Sequence, residues 1–335
     1  MKAYEIRKFG LEGLSIVDRP VPEPGPEQVL VRMCAWSLNY RDLMTVAGRY
    51  NPRLKLPQVP LSDGAGEVVA VGSGVKGFKA GDRVTNTFFE RWVSGEGNDE
   101  QARTALGAGR DGVLAEYVAL HQDGIIAIPE HLSYSEAATL PCAALAAWNA
   151  IAAKGKTKPG DSVLTLGTGG VSIFALQFAL LSGARVLITS SRDEKLDRAR
   201  QMGASETINY KQKPDWGKHV RQLCGGRGVD LVVEVGGAGT FNQSVAALRR
   251  GGTLCLLGAL AQGSDANLTP VLMNAIRVQG VFVGPRDMFS EMNAAITLHR
   301  VHPVIDRRFG FEEVAQAFTF METGGHFGKI VIVKD

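Results

Sequence analysis

The chain has 335 residues, 45% of them hydrophobic, with 37 Lys and Arg against 34 Asp and Glu for a formal charge of +3. That length fits about two domains, each able to bury its own core, and a near-balanced charge with no basic run argues against a dedicated nucleic-acid binder. Glycine is in excess, 40 residues or roughly 12% where ~7% is usual; with no collagen period, these glycines mark turns and close backbone approaches.

The first 125 or so residues read as short apolar alternations punctuated by Gly and Pro. QVLVRMCAWSL (28–38), AGEVVAVG (65–72), DRVTNTF (82–88) and LAEYVAL (114–120) are predicted strands, separated by turn chemistry such as PVPEPGPE (20–27). This part is expected to be an irregular, mostly antiparallel β domain. The polar, glycine-containing stretch 91–111 reads as a surface loop, exposed or lidding a substrate cleft. A helix is expected from Ser133, which stands three residues before Glu136 in capping-box spacing, with Pro141 as a kink.

From there strand and helix alternate: DSVLTLG then GVSIFALQFALLSG, ARVLITSS then RDEKLDRARQMG, followed by VDLVVEVGG, GGTLCLLGA and VQGVFVG. Such alternation calls for a parallel sheet flanked by helices. Residues 162–184 carry no charge and are long enough to span a bilayer. Gly167, Gly169 and Gly170 split them, however, and no basic flank brackets them, so they read as buried strand, turn and buried helix. After about Glu291 come a short helix, a second helix (FEEVAQAFTFMETG) and a last strand, KIVIVK.

Four cysteines, Cys34, Cys142, Cys224 and Cys255, stand 108, 82 and 31 residues apart, spacings that hold no local metal or redox motif. Together with an N-terminus lacking an apolar signal core, they point to a reducing, cytoplasmic setting.

The strongest local signal is Gly167-Thr168-Gly169-Gly170-Val171-Ser172, a G-x-G-x-x-S turn between a predicted strand and helix. Glycine at the first position permits the tight turn, glycine at the third lets the backbone approach a pyrophosphate, and free amides at the helix start face the phosphates. An NAD site places a carboxylate about 20 residues on. Here the strand ends in Thr189-Ser190-Ser191, followed by Arg192 and Lys195. Hydroxyls and cations suit the 2′-phosphate of NADP(H); the alternative is that Arg192 and Lys195 only pair with Asp193 and Glu194 on a solvated helix.

Taken together, SLNYRDLMTVAGRY (37–50), PLSDGAGEVVAVGSGVKGFKAGDRV (60–84), EAATLPCAALAAWNAI (136–151), LGTGGVSIFALQFA (166–179) and HFGKIVIV (326–333) make the chain resemble, over its full length, the medium-chain dehydrogenase/reductase superfamily. The resemblance implies an α/β protein: a GroES-like catalytic domain from residues 1–126 and 291–335, and a Rossmann NADP-binding domain, 127–290. The family's catalytic zinc positions fall on Asn39, Ser62 and Cys142, and its structural-zinc lobe on 88–110, where no cysteine occurs. Neither zinc site is therefore expected, and Cys142 reads as a small buried apolar residue bordering the nicotinamide.

The remaining pattern is similar to zeta-crystallin-like quinone oxidoreductases and related enoyl reductases. That resemblance implies Asn39 and Tyr50 beside the nicotinamide, and Ser190, Ser191, Lys195 and Tyr210 around the 2′-phosphate. Val235 and Gly258 would border the cofactor at strand ends and Val283 the nicotinamide, while Ala146 replaces a frequent threonine. Without a Lewis acid, hydride transfer suits a quinone or an α,β-unsaturated carbonyl, with the Asn39 amide and the Tyr50 phenol as donors to the developing oxyanion. Tyr50 reads equally well as a rim residue. Two other readings are a metal-free alcohol or aldehyde oxidoreductase and a non-catalytic NADPH-binding protein. VQGVFVGPRDMF (278–289) is expected to contribute an edge strand that pairs across a homodimer.

Overall fold

The computed structural model describes residues 1–258, 260 and 266–334. The chain divides into one unit formed by 1–145 with 283–335, and a second formed by 146–282; the expected boundaries stood at 126/127 and 290/291.

In the first unit, β1 (Lys2–Ile6) and β2 (Leu14–Asp18) form an antiparallel pair. They are followed by β3 (Gln28–Leu38), β4 (Asp63–Val71), β5 (Arg83–Asn86), β6 (Tyr117–His121) and β7 (Ile125–Ala127). The second unit carries β8 (Ser162–Thr165), β9 (Arg185–Ser190), β10 (Glu206–Asn209), β11 (Val229–Glu234), β12 (Leu248–Leu256) and β13 (Arg277–Gly280). The chain then returns to the first unit with β14 (Ile305–Gly310) and β15 (Lys329–Val333). Ala259, the last residue of the run GGTLCLLGA, lies outside the described residues.

Among the described residues the first unit's main sheet runs β14-β15-β3-β4-β5-β7, with β6 also on β3. Every pair is antiparallel except β14 with β15. The C-terminal strand zips onto β3 with Ile330 opposite Leu38 and Ile332 opposite Trp36. A second tie between the chain ends is the Tyr4 phenol, which donates to the Phe311 carbonyl at 2.9 Å, while Trp36 packs on the Phe311 ring at 5.0 Å. Both ends of the chain thus close one core.

The second unit's six strands are all parallel, in the order β10-β9-β8-β11-β12-β13. The order reverses between β8 and β11, the switch point outside which α/β sheets bind ligands. The uncharged stretch 162–184 becomes β8 and the helix Gly170–Leu181, whose residues 172–176, 178 and 179 are buried. It is apolar all round because it is enclosed, and no described helix is long and apolar enough to cross a membrane. The helix Asp193–Gln201 instead buries only Leu196 and Ala199, with acids in its first turn and Arg198 and Arg200 in its last, matched to the helix dipole.

Five local expectations differ. The helix after Ser133 is a single capped turn, Tyr134–Ala137, followed from Leu140 by π-helical turns around Leu145–Trp148, because Pro141 removes a backbone donor. Residues 286–289 open the helix Arg286–His299 rather than extending a strand, so β13 stops at Gly280. That helix also begins before Glu291, and IDRRFG, too charged to read as a strand, pairs as β14. Within 91–111, a turn of helix at Asp99–Ala102 is capped by Asn98 and Gln101, and Ala105, Leu106 and Ala108 are buried, so this is not surface throughout.

Candidate active site

In the second unit, β8 runs into the turn Gly167-Thr168-Gly169 and then the helix Gly170–Leu181. Gly167 has φ +70°, which a side chain would strain, and a Cβ built at either Gly167 or Gly169 meets nothing within 4 Å. The space in front of the turn is therefore open, with Gly169, Gly170 and Val171 presenting backbone toward it at the helix start. Ser172 turns inward, its Oγ donating to the Leu166 carbonyl at 2.5 Å, so the third fingerprint position packs helix against strand. The Gly167 N–H donates to Thr189 Oγ1 at 3.2 Å, tying the turn to the end of β9. Thr168 is buried.

Ser190 closes β9 almost fully buried, its carbonyl accepting from the Tyr210 N–H at 3.1 Å. Ser191 is half-buried and Arg192, exposed, directly precedes the helix that carries Lys195. The neighbouring Asp193 carboxylate accepts from Asn209 Nδ2 at 2.8 Å and Gln212 Nε2 at 3.1 Å, so it is turned toward the β10 side. Val235 and Gly258 meet at the carboxyl ends of β11 and β12, where a Cβ on Gly258 would stand 2.5 Å from the Val235 carbonyl oxygen.

The first unit gathers Asn39, Tyr50 and Cys142. Asn39 follows β3 and precedes the helix Tyr40–Val46; Asp42, at the third helical position, accepts from the Asn39 N–H at 2.8 Å and anchors the turn. Lys329, at the start of β15 and 3% exposed, donates through Nζ to the Leu38 carbonyl at 2.5 Å and to Asn39 Oδ1 at 2.6 Å. The amide oxygen is thereby occupied and Asn39 Nδ2 is buried without a hydrogen-bond partner, an arrangement that costs ~1–3 kcal/mol unless something accepts from it. Asn39 stands close enough to Asp63 to favour its ionised form, without hydrogen-bond geometry.

Asp63 is the hub. It is fully buried, accepts from Ser62 Oγ at 2.6 Å and from the Cys142 N–H at 3.1 Å, and faces the charge of Lys329. The three positions matched to zinc ligands, Asn39, Ser62 and Cys142, thus surround one carboxyl group. Burial pushes Asp63 and the Cys142 thiol up and the Lys329 ammonium down; it moves Asp42 up to about 6, with Arg41 opposing. Burial likewise raises Tyr50, against the pull of Arg41, whose guanidinium lies 5.0 Å from the Tyr50 ring centre. Val283 opens the first unit's second segment, buried and at φ +55°, a conformation rare for a β-branched residue.

Sequence reasoning singled out neither Lys329 nor Arg41. The available signal for Lys329 was a cation at the head of the apolar run KIVIV; nothing local pairs it with Asn39, 290 residues away. Among the described residues no group of three or more His, Cys, Asp and Glu is placed to hold a metal.

An alcohol dehydrogenase GroES-like domain model matches residues 25–130 and a zinc-binding dehydrogenase model residues 170–297. The chain is 42% identical, over 97% of its length and 96% of the relative's, to a zinc-type alcohol dehydrogenase-like protein of Schizosaccharomyces pombe. A crystal structure of a putative alcohol dehydrogenase from Sinorhizobium meliloti superposes with a TM-score of 0.92 at 38% identity, covering 99% of this chain and 98% of that one. The quinone oxidoreductase from Coxiella burnetii gives 0.81 at 27% identity, covering 99% of each chain.

Proposed function

Because this chain belongs to the medium-chain dehydrogenase/reductase superfamily, we propose that it is an NADPH-dependent, zinc-independent reductase of quinones or α,β-unsaturated carbonyl compounds. The observation that carries the reading is Asn39, whose oxygen is held by a buried ammonium while its Nδ2 has no hydrogen-bond partner among the described residues. A developing enolate or hydroquinone oxygen is such an acceptor, and the Lys329 charge on the far side of the amide polarises it toward donation. Bound NADPH supplies the hydride. Tyr50, its pKa raised by burial, keeps its phenolic proton at neutral pH and holds it where it can pass to the reduced product.

A catalytic zinc fits these residues poorly. Asn39 Oδ1 is taken by an ammonium, Ser62 Oγ by Asp63, and burial keeps the Cys142 thiol protonated, whereas zinc takes thiolates and neutral imidazoles. For the cofactor, the open turn at Gly167–Gly170 would receive the pyrophosphate. Ser190, Ser191, Arg192, Lys195 and Tyr210 would bind the 2′-phosphate, and Asp193, bonded to Asn209 and Gln212, argues against a simple Arg192–Asp193 pair. Val235, Gly258 and, toward the nicotinamide, Cys142 and Val283 complete the proposed cofactor contacts. Relatives named as alcohol dehydrogenases favour a second reading, a metal-free alcohol or aldehyde oxidoreductase.

Assaying quinones, enones, aldehydes and alcohols with NADPH or NADP separates these readings. NADPH consumption with quinones or enones is expected, and Asn39→Ala is expected to lower kcat about 100-fold through loss of one oxyanion donor. Turnover confined to alcohols, or an unchanged Asn39→Ala enzyme, refutes the proposal. The four free cysteines favour a reducing, cytoplasmic setting. A homodimer is supported by β13, an edge strand in which Val278 is exposed, with Leu272 and Met273 exposed just before it; a solution mass equal to one 35.9 kDa chain would refute it.

A further inference from the structure

The least explained polar group in the first unit is the guanidinium of Arg41. Its side chain is only 9% exposed, yet one edge of the fork does all the bonding: Nη1 donates to the Leu106 carbonyl at 2.8 Å and reaches Asp42 Oδ1 at 3.3 Å. Nε and Nη2, the other edge, are buried and have no hydrogen-bond partner among the described residues. The Tyr50 phenol lies close enough to feel the charge, but no hydrogen bond of normal geometry joins the two. The guanidinium carbon stands 5.0 Å from the Tyr50 ring centre and 5.1 Å from that of Phe88.

A guanidinium cannot shed its proton to escape burial, so two unmet N–H donors beside two aromatic rings are a standing penalty unless a ligand accepts from them. The Nε–Nη2 edge offers two parallel donors, the geometry that a carboxylate matches with both oxygens. With aromatic rings beside the guanidinium, approach in its plane is favoured, which suits a small planar anion better than a tetrahedral phosphate. The Nη1 contact with Asp42 and the 5.0 Å approach to the Tyr50 ring place the guanidinium beside the candidate active site of the first unit. The segment after Tyr50 has no helix or strand over residues 51–57, and Pro52, Arg53, Lys55 and Pro57 are exposed.

We propose that the free Nε–Nη2 edge of Arg41 binds a carboxylate of the substrate, so that the enzyme's substrates are unsaturated carbonyl compounds that also carry a carboxylate. This rests on the reductase reading for turnover, but not for binding. The test compares 4-oxopent-2-enoate with its methyl ester as NADPH-dependent substrates, in wild type, Arg41→Lys and Arg41→Gln. Wild type is expected to favour the acid by about tenfold or more in kcat/KM, mostly through KM; the preference falls to about one in Arg41→Gln and is partly kept in Arg41→Lys, which retains the charge but not the fork. Cofactor affinity is expected to be the same in all three.

Fumarate, added without cofactor, gives the second measurement: it should raise the Tm of wild type and not that of Arg41→Gln. An acid-to-ester ratio of one or less in wild type overturns the proposal, and so does a ratio that survives in Arg41→Gln. If the variant instead loses cofactor affinity and keeps the ratio, the fork serves the cofactor and the proposal fails. If neither compound turns over, the reductase reading fails and the fumarate shift alone decides the carboxylate site: its presence in wild type and loss in Arg41→Gln supports the site, and its absence from wild type overturns it.

Discussion

Replacing Lys329 with methionine is expected to lower the folding free energy by about 3 kcal/mol and kcat by about tenfold. Methionine matches the length of the lysine stem, so the packing loss is small and the effect is electrostatic. The Leu38 carbonyl and Asn39 Oδ1 both lose their donor, and Asp63, fully buried, loses its largest source of positive charge. Asn39 then loses the ammonium that fixes its side-chain oxygen. The partner that makes the prediction specific is Asp63: in the double variant Asp63→Asn/Lys329→Met no buried charge is stranded, and at least half of the lost stability should return.

The pH dependence carries a sign. Burial lowers the Lys329 pKa from its ordinary 10.5, so just below that value the unfolded chain binds a proton that the folded chain has released. Through that window Lys329 makes wild type more stable as pH rises, and Lys329→Met loses this rise. Urea titrations of wild type, Lys329→Met, Asp63→Asn and the double variant at neutral pH, and of wild type and Lys329→Met up to the alkaline limit, measure all of this. A loss under ~1 kcal/mol, or a double variant as unstable as the two single losses combined, would show that Lys329 does not serve the Asp63–Asn39 cluster.

Ser190→Asp is expected to reverse cofactor preference. Ser190 ends β9 at the position where NAD-binding folds carry an acid for the ribose 2′-hydroxyl. A carboxylate there repels the 2′-phosphate of NADPH and accepts from the hydroxyl of NADH. We expect kcat/KM for NADPH to fall about 100-fold, equivalent to ~2.7 kcal/mol, while NADH improves. Because Ser190 is almost fully buried, the carboxylate is expected to cost some stability, so the Tm of the variant is measured beside its kinetics; the backbone of residue 190 is held by β10 pairing and by the Tyr210 N–H. Steady-state kinetics with both cofactors decide it; a wild type that already prefers NADH would remove the premise.

The parts legible in sequence are those whose cause is local. The alternation of QVLVRMCAWSL becomes β3 over the full predicted range, because one face of each residue pair must find a core whatever that core contains. The glycine turn at 167–170 is equally local, since only glycine accepts φ +70° without strain. Where the pattern misled, a longer-range partner prevailed. IDRRFG looks polar, yet β15 supplies hydrogen bonds along it and leaves Arg307 and Arg308 exposed. RDMF continues an apolar run, but Pro285 favours a helix start and Phe289 turns into the core as part of a helix.

The sequence by itself determined that this is a two-part α/β member of an oxidoreductase superfamily, that a dinucleotide-type glycine turn precedes the helix at 170, and which residue types stand at the zinc positions. The glycine turn and the α/β alternation follow from residue identity and short-range spacing; the superfamily and the zinc positions follow from the resemblance of the long motifs. Only the tertiary structure decided that Asn39, Asp42, Asp63 and Lys329 share one buried cluster with the half-buried Cys142 at its margin, and that one edge of Arg41 is left without an acceptor among the described residues. The physical reason is that burial and unmet hydrogen bonds belong to the packed molecule. A lysine in KIVIV becomes an ammonium on the Asn39 amide only because β15 lies beside β3.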